Sequence, residues 1–183
     1  MSNLSIFVEQ PDIQERFKKV LGKNSQAFIA SMVNVASNNN HLVNAEPMSI
    51  VNACMISATL GLSIDPNIGQ AYIIPYGKKA QFQIGYKGLI DLCQRTGMYK
   101  TINVEPVYEG EFRGIDRLTG EIKFDWIQDN NRRKSLKQVG TVAYFELKTG
   151  FKKSLYMTYE ELMAHATKYS KSYSRADSIW KTD

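Results

Sequence analysis

Cysteine and histidine are scarce, with two of each in 183 residues. Cys54 and Cys93 each fall in a stretch that reads as an apolar helix, and neither has the spacing of a metal site or a redox pair, so both are expected as reduced core residues. His41 and His165 lie far apart and have no partner at zinc-binding spacing. No apolar run approaches the roughly 20 residues needed to span a bilayer, and no basic segment followed by an apolar one opens the chain. No membrane partner is expected, and cytoplasmic residence is the simplest reading. No G-x-x-x-x-G-K-[ST] occurs, and no G-x-G-x-x-G follows a predicted strand, which removes the signatures of ATP-driven recombination and of a nicotinamide enzyme.

What is present is an ordinary globular composition, 43% hydrophobic and 22% charged. The length suits one domain, residues 1–183, able to hide roughly 70% of its unfolded surface. The net charge of +5 is unevenly placed. Residues 66–104 carry five bases and one acid, residues 105–129 three bases and seven acids, and residues 130–183 eleven bases and five acids. Two basic zones flank an acidic one, and clustered base points to nucleic acid, with a merely solvated surface as the competing reading.

Periodicity predicts an α+β fold: a small antiparallel sheet of β-hairpins packed with about five helices. The first nine residues show no strong pattern. Asp12 with Glu15 reads as a capping box for a helix placing Ile13, Phe17, Val20 and Leu21 on one face, ended by Gly22. A second helix follows Asn24-Ser25, and a third runs from Pro47 to Gly61. The period then becomes two: Tyr72, Ile74 and Tyr76 in one strand, Phe82 and Ile84 in the next, with Tyr76-Gly77-Lys78-Lys79 as the turn. Pro75 cannot donate a ladder hydrogen bond, which makes the first strand an edge or a place where pairing is interrupted. A short helix from about Tyr86 to Thr96 closes at Gly97. Residues 101–112 and 121–127 read as a second antiparallel pair, 128–138 as a polar loop, and 139–148 with 151–156 as a hairpin turning at Thr149-Gly150. Thr158 with Glu161 caps a last helix, after which the chain stops at Asp183 without a capped element.

The stretch Gly61–Gly97 concentrates the chemistry. At Gly85-Tyr86-Lys87-Gly88 a helix start offers unpaired N–H groups, little steric bulk and a positive charge, as a phosphate requires. Gly85 and Gly88 serve equally for a tight turn and close packing. Lys78 and Lys79 at the hairpin tip reach a second stretch of phosphate backbone. Tyr72 and Tyr76 offer faces on which bases stack, and Gln81 and Gln83 project from one strand face with donors and acceptors for sugars or base edges. Core packing and a solvated strand face are the plainer readings of the same residues. A second basic zone, Lys148, Lys152 and Lys153 with Arg132, Arg133 and Lys134, is a candidate for the opposite wall of a groove, or simply exposed charge. Glu105, Glu109, Glu111 and Asp116 raise the alternative of a Mg²⁺-dependent nuclease, against which stands the placement of Glu109 and Glu111 beside Arg113 and Arg117 rather than a catalytic lysine.

The run GLSIDPNIGQAYIIPYGKKAQFQIGYKGLIDLCQRTGMYKTINVEPVYEGE closely resembles the RecT family of phage and prophage single-strand DNA annealing proteins. Asp65-Pro66, IIPYGKKAQFQIGYKG and the RTGMYK continuation are its specific pieces, and a weaker likeness extends from Pro11–Leu21 to Trp180–Asp183. The resemblance implies a three-to-five-stranded sheet with helices, a deep basic groove holding extended DNA, and ATP-independent annealing of complementary strands in recombination and repair. It implies no catalytic residues and no cofactor, with Mg²⁺ at most a non-catalytic aid to DNA binding. The implied partners are single-stranded DNA and the annealed duplex, further copies in a ring or filament, a phage exonuclease and the host single-strand-binding protein, in the cytoplasm of a bacterial host. The positions that match the groove are Tyr76, Lys78, Lys79, Gln81, Gln83, Tyr86, Lys87, Arg95 and Lys100. Tyr72, Lys152 and Lys153 join them from the residue chemistry. Family members continue past the position of Trp180 with a helix and an acidic region, so the chain reads as C-terminally truncated, which puts annealing and partner binding in question. A coating protein that never anneals is the remaining alternative.

Overall fold

The computed structural model describes residues 3–170 together with Tyr173, Ser174, Ala176, Ser178 and Trp180. It has the expected α+β class, with seven α-helices among the described residues, two of them only five residues long. The chain divides into two compact units, Met1–Gly97 and Met98–Asp183.

The first unit begins with α1 (Asn3–Phe7), a helix without a sequence signal, followed by α2 (Pro11–Leu21), α3 (Ser25–Ser37) and α4 (Pro47–Leu60). Asp12 does not cap α2: Pro11 occupies the first turn and Gln10 is the extended N-cap, which moves Asp12 inside the helix where its charge still suits the dipole. Ile13 and Phe17 are fully buried, whereas Val20 turns outward and is 44% exposed, a correction to the expected apolar face. α4 is apolar almost all round because helices pack on one side and a hairpin on the other; Ile50, Val51, Ala53, Cys54, Ser57 and Ala58 are all buried. Gly61 ends it in the left-handed conformation (φ 61°).

The hairpin consists of β1 (Ala71–Tyr76) and β2 (Lys79–Ile84), paired from Ala71↔Ile84 to Tyr76↔Lys79. Gly77 has φ 59° and Lys78 does not enter the left-handed region, the pattern of a type II′ turn, which suits the twist of the strands. Alternation puts Ile73, Ala80 and Phe82 against the helical core, with Ala71 buried on the same face. Both strands are edges of a two-stranded sheet, as Pro75 requires. Then α5 (Tyr86–Arg95) follows Gly85 directly. Of the two cysteines, Cys54 is buried in this core, and burial pushes its thiol up to about 12. Cys93 on α5 is only half-buried, contrary to expectation.

In the second unit β6 (Gln138–Leu147) is the centre of an antiparallel sheet in the order β3-β6-β7, with β3 (Tyr99–Tyr108) and β7 (Lys152–Thr158) at its edges. The hairpin at Thr149-Gly150 is as expected. The pairing of 101–112 with 121–127 is not: β3 pairs with β6, and only the short β4 (Phe112–Ile115) and β5 (Ile122–Phe124) form the local pair. The turn between them is built by Asp116, whose Oδ1 accepts the N–H groups of Leu118 and Thr119 at 2.8 and 3.1 Å. The expected polar loop at 128–138 contains α6 (Asn130–Lys134), capped by Asp129 through the N–H groups of Asn131 and Arg132. α7 (Tyr159–Tyr169) starts with the expected capping box of Thr158 and Glu161. Beyond it the Trp180 indole donates to Ser170 Oγ at 3.1 Å, and the family-like end at 181–183 lies outside the described residues.

Candidate nucleic-acid interface

The ladder of the first hairpin decides which candidate residues meet. Directly paired residues share a face, so Tyr72 with Gln83, Ile74 with Gln81 and Tyr76 with Lys79 form one outward surface, opposite the core-facing set. Five of the candidates, Tyr72, Tyr76, Lys79, Gln81 and Gln83, therefore stand together on a strip two strands wide. Lys78 sits at the turn, and Tyr86 and Lys87 open α5 immediately after β2. Tyr86 is the most exposed of the rings, at 69%. Lys78, Lys79 and Lys87 are exposed and no salt bridge ties any of them among the described residues.

Several residues outside the candidate set hold this surface in place. The turn is tied to α4 twice: Glu46 N–H donates to Lys78 O at 2.8 Å, and Ala80 N–H donates to Ser49 Oγ at 2.8 Å while that hydroxyl donates to Glu46 O at 2.7 Å. Gln70 accepts from Ser63 N–H at 2.9 Å, donates to Asp91 Oδ2 at 3.2 Å, and its carbonyl takes the N–H of Gly85 at 2.8 Å. Neither Ser49 nor Gln70 carries a sequence signal, because the contacts that tie each to the hairpin or α5 cross 15 to 31 residues of chain.

Gly85 and Gly88 are demanded by contact. A Cβ on Gly85 would lie 2.2 Å from the carbonyl oxygen of Gly69 and 3.0 Å from the Tyr72 ring, and one on Gly88 would lie 2.2 Å from the carbonyl oxygen of Gln70. The packing reading of these glycines thus has direct support. It also brings the first turn of α5, which no side chain caps, against the strand that carries Tyr72.

Arg95, at the far end of α5, is spent internally. Its guanidinium donates to Leu60 O at 2.7 Å and Gly61 O at 2.8 Å and pairs closely with Asp91, which ties α5 to the C-terminus of α4.

The remaining candidates belong to the second unit. Lys100 pairs with Glu146 at 2.9 Å, and this hydrogen bond holds its ammonium above the usual lysine range. Lys152 and Lys153 are neighbours on β7, so the pleat sends them to opposite faces: Lys152 lies across from Glu146 and lines a cleft of about 410 Å³ with Tyr144, Phe124 and Trp126, and Lys153 lies across from Phe145.

Within the second basic zone, Arg133 is no groove wall. Its guanidinium donates to Glu111 Oε1 at 2.6 Å, Glu105 Oε1 at 2.7 Å and Pro106 O at 2.6 Å, and lies 4.9 Å from the Tyr108 ring centre and 5.4 Å from that of Trp126. Glu111, fully buried, also accepts the N–H groups of Tyr108 and Ile127. Burial alone would raise its pKa, yet Arg133 and the two N–H groups together hold the carboxyl below the usual range. Arg113, expected beside Glu111, instead pairs with Asp125 at 2.9 Å. Glu105 and Glu111 thus converge on a guanidinium, and Asp116 forms a turn, so the geometry gives the nuclease alternative no support.

The sequence pattern of the RecT family matches residues 26–183. The chain belongs to the RecT family. It is also similar to an uncharacterised protein, YqaK, of Bacillus subtilis (strain 168), 44% identical over 176 residues, covering 96% of this chain and 59% of that protein. To Protein RecT of Escherichia coli (strain K12) it is 30% identical over 122 residues, 60% of this chain and 45% of that protein. The chain spans about half the length of the curated relatives it matches. The RecT pattern takes in the whole hairpin, α5 and all of the second unit's strands. No helix among the described residues is long and apolar enough to cross a membrane.

Proposed function

We propose that the chain binds single-stranded DNA and anneals complementary strands without ATP, as part of recombination in a bacterial cytoplasm. The observation that carries this is the joint outward surface of β1, β2 and the start of α5 in a RecT-family chain: exposed lysines for phosphates, tyrosine rings for bases, glutamines for sugars and base edges. A DNA strand lies extended along it through its phosphates, with most base edges left open to a second strand. No residue of the surface is asked to break a bond, and Mg²⁺ acts only as an aid to DNA binding. Further copies in a ring or filament, a phage exonuclease and the host single-strand-binding protein are the proposed partners.

The test mixes two complementary labelled oligonucleotides with the protein and no ATP, and follows duplex formation and strand length together. Faster duplex formation with intact oligonucleotides is the expected result. DNA binding without faster pairing would assign a coating role instead, and metal-dependent shortening of the oligonucleotides would assign nuclease chemistry.

A further inference from the structure

Beside the basic surface, the first unit holds a cleft of about 450 Å³, within the range of small-ligand sites. It lies between the C-terminal half of α3, the segment 64–67 and the outer edge of β1, which pairs with β2 alone among the described residues. Its chemistry differs from that of the hairpin face. Among the described residues no Lys, Arg or His lines it, and Asp65 contributes a carboxylate, so a phosphate would meet only negative charge there.

The cleft instead offers neutral groups. Asn39 and Asn67 are used locally: Asn39 Oδ1 accepts the N–H of His41 at 3.0 Å, and Asn67 donates to Asp65 Oδ1 at 3.0 Å. Asn34, on the exposed side of α3, and Asn38, the exposed residue that caps the C-terminus of that helix, share a single bond of 2.9 Å from Asn38 Nδ2 to Asn34 Oδ1. That bond leaves the Asn34 amino group and the Asn38 carbonyl oxygen unused, one donor and one acceptor of the kind that pair with the edge of a nucleobase. Tyr72 lines the same cleft and is also part of the hairpin face. Its hydroxyl and the Lys87 stem lie together over Gly69, 3.2 and 3.5 Å from where a Cβ would stand. A DNA strand with a phosphate at Lys87 therefore passes the mouth of an amide-bearing cleft that no cation lines among the described residues.

We propose that this cleft takes one unpaired nucleobase of the bound single strand, its edge on Asn34 and Asn38 and its face on the Tyr72 ring. The inference rests on the single-strand reading above and adds to it a subsite without a cation, which makes part of the affinity independent of salt. The double variant Asn34→Ala/Asn38→Ala removes the amides at two exposed positions, one in the last turns of α3 and one at its C-cap, where neither side chain is part of the core. Asn34→Trp, the second variant, fills the cleft.

Affinity is measured for an intact mixed-sequence oligonucleotide and for one of equal length carrying abasic sites, both across a salt series. The expected result is a loss of about five-fold or more on the intact oligonucleotide for either variant, the scale of one stacked base. The loss on the abasic one should be much smaller, and the salt slope unchanged. Equal losses on both oligonucleotides, or no loss on either, would overturn the cleft while leaving single-strand binding in place. Wild-type protein that binds neither oligonucleotide would overturn the single-strand reading itself and the cleft with it.

Discussion

Arg133 and Glu111 are the residues on which the second unit turns. Among its described residues that unit buries few large aliphatic side chains, Val107 and Val142, and fills in with aromatic contacts such as Phe112 on Tyr156 at 4.6 Å and Phe124 on Trp126 at 4.5 Å. The guanidinium lies against the Tyr108 and Trp126 rings while it neutralises a carboxylate shielded from water. Arg133→Ala leaves that carboxylate buried and unpaired, and is expected to cost about 3 kcal/mol or more in urea unfolding, a loss Arg133→Lys does not restore because one ammonium cannot serve both carboxylates and the carbonyl. The pH dependence has a definite sign. The folded pKa of Glu111 lies below its unfolded value of about 4.3, so its contribution is fully present above that pH and is lost as pH falls through the folded value. Glu111→Gln should flatten this acid limb of the stability curve; an unchanged limb would remove Glu111 as its source. None of this is visible in sequence, where Arg133 sits in the run Arg132-Arg133-Lys134 and reads as surface charge. The partner is 22 residues away across a strand pair and a loop.

At the scale of elements, the hairpin and α5 form one piece because Gly85 and Gly88 let backbone touch backbone. Gly85→Ala places a methyl group against the carbonyl of Gly69 and the ring of Tyr72, and should cost about 1–3 kcal/mol as an overpacked site. It should also weaken DNA binding more than its loss of stability explains, since Tyr72 must shift. Ser49→Ala removes the acceptor of the Ala80 N–H and is expected to cost about 1 kcal/mol, read as faster hydrogen exchange at the hairpin tip. These elements are legible in the sequence: period-two alternation marks β1 and β2, and Pro47 with Gly61 marks both ends of α4. The partner of β3 is not, because a ten-residue strand records which side is apolar and nothing about its neighbour, and the nearer segment then competes with β6 on equal terms. α1 and α6, five residues each, are too short to show a helical period.

For the whole molecule, the charge counted in the sequence does not show which bases are already paired within the fold. Of the basic residues in the expected groove, Arg95 and Lys100 are engaged within their own units, whereas Lys78, Lys79 and Lys87 remain available to a ligand. The most direct test is the salt dependence of single-stranded DNA affinity, measured by fluorescence anisotropy for the wild type and for Lys78→Ala, Lys79→Ala and Lys87→Ala singly and together. Removing each phosphate-binding lysine should reduce the slope of log affinity against log salt by about 0.7, or about 2 for the triple variant. A triple variant with the wild-type affinity and the wild-type slope would contradict the placement of the DNA strand on this surface.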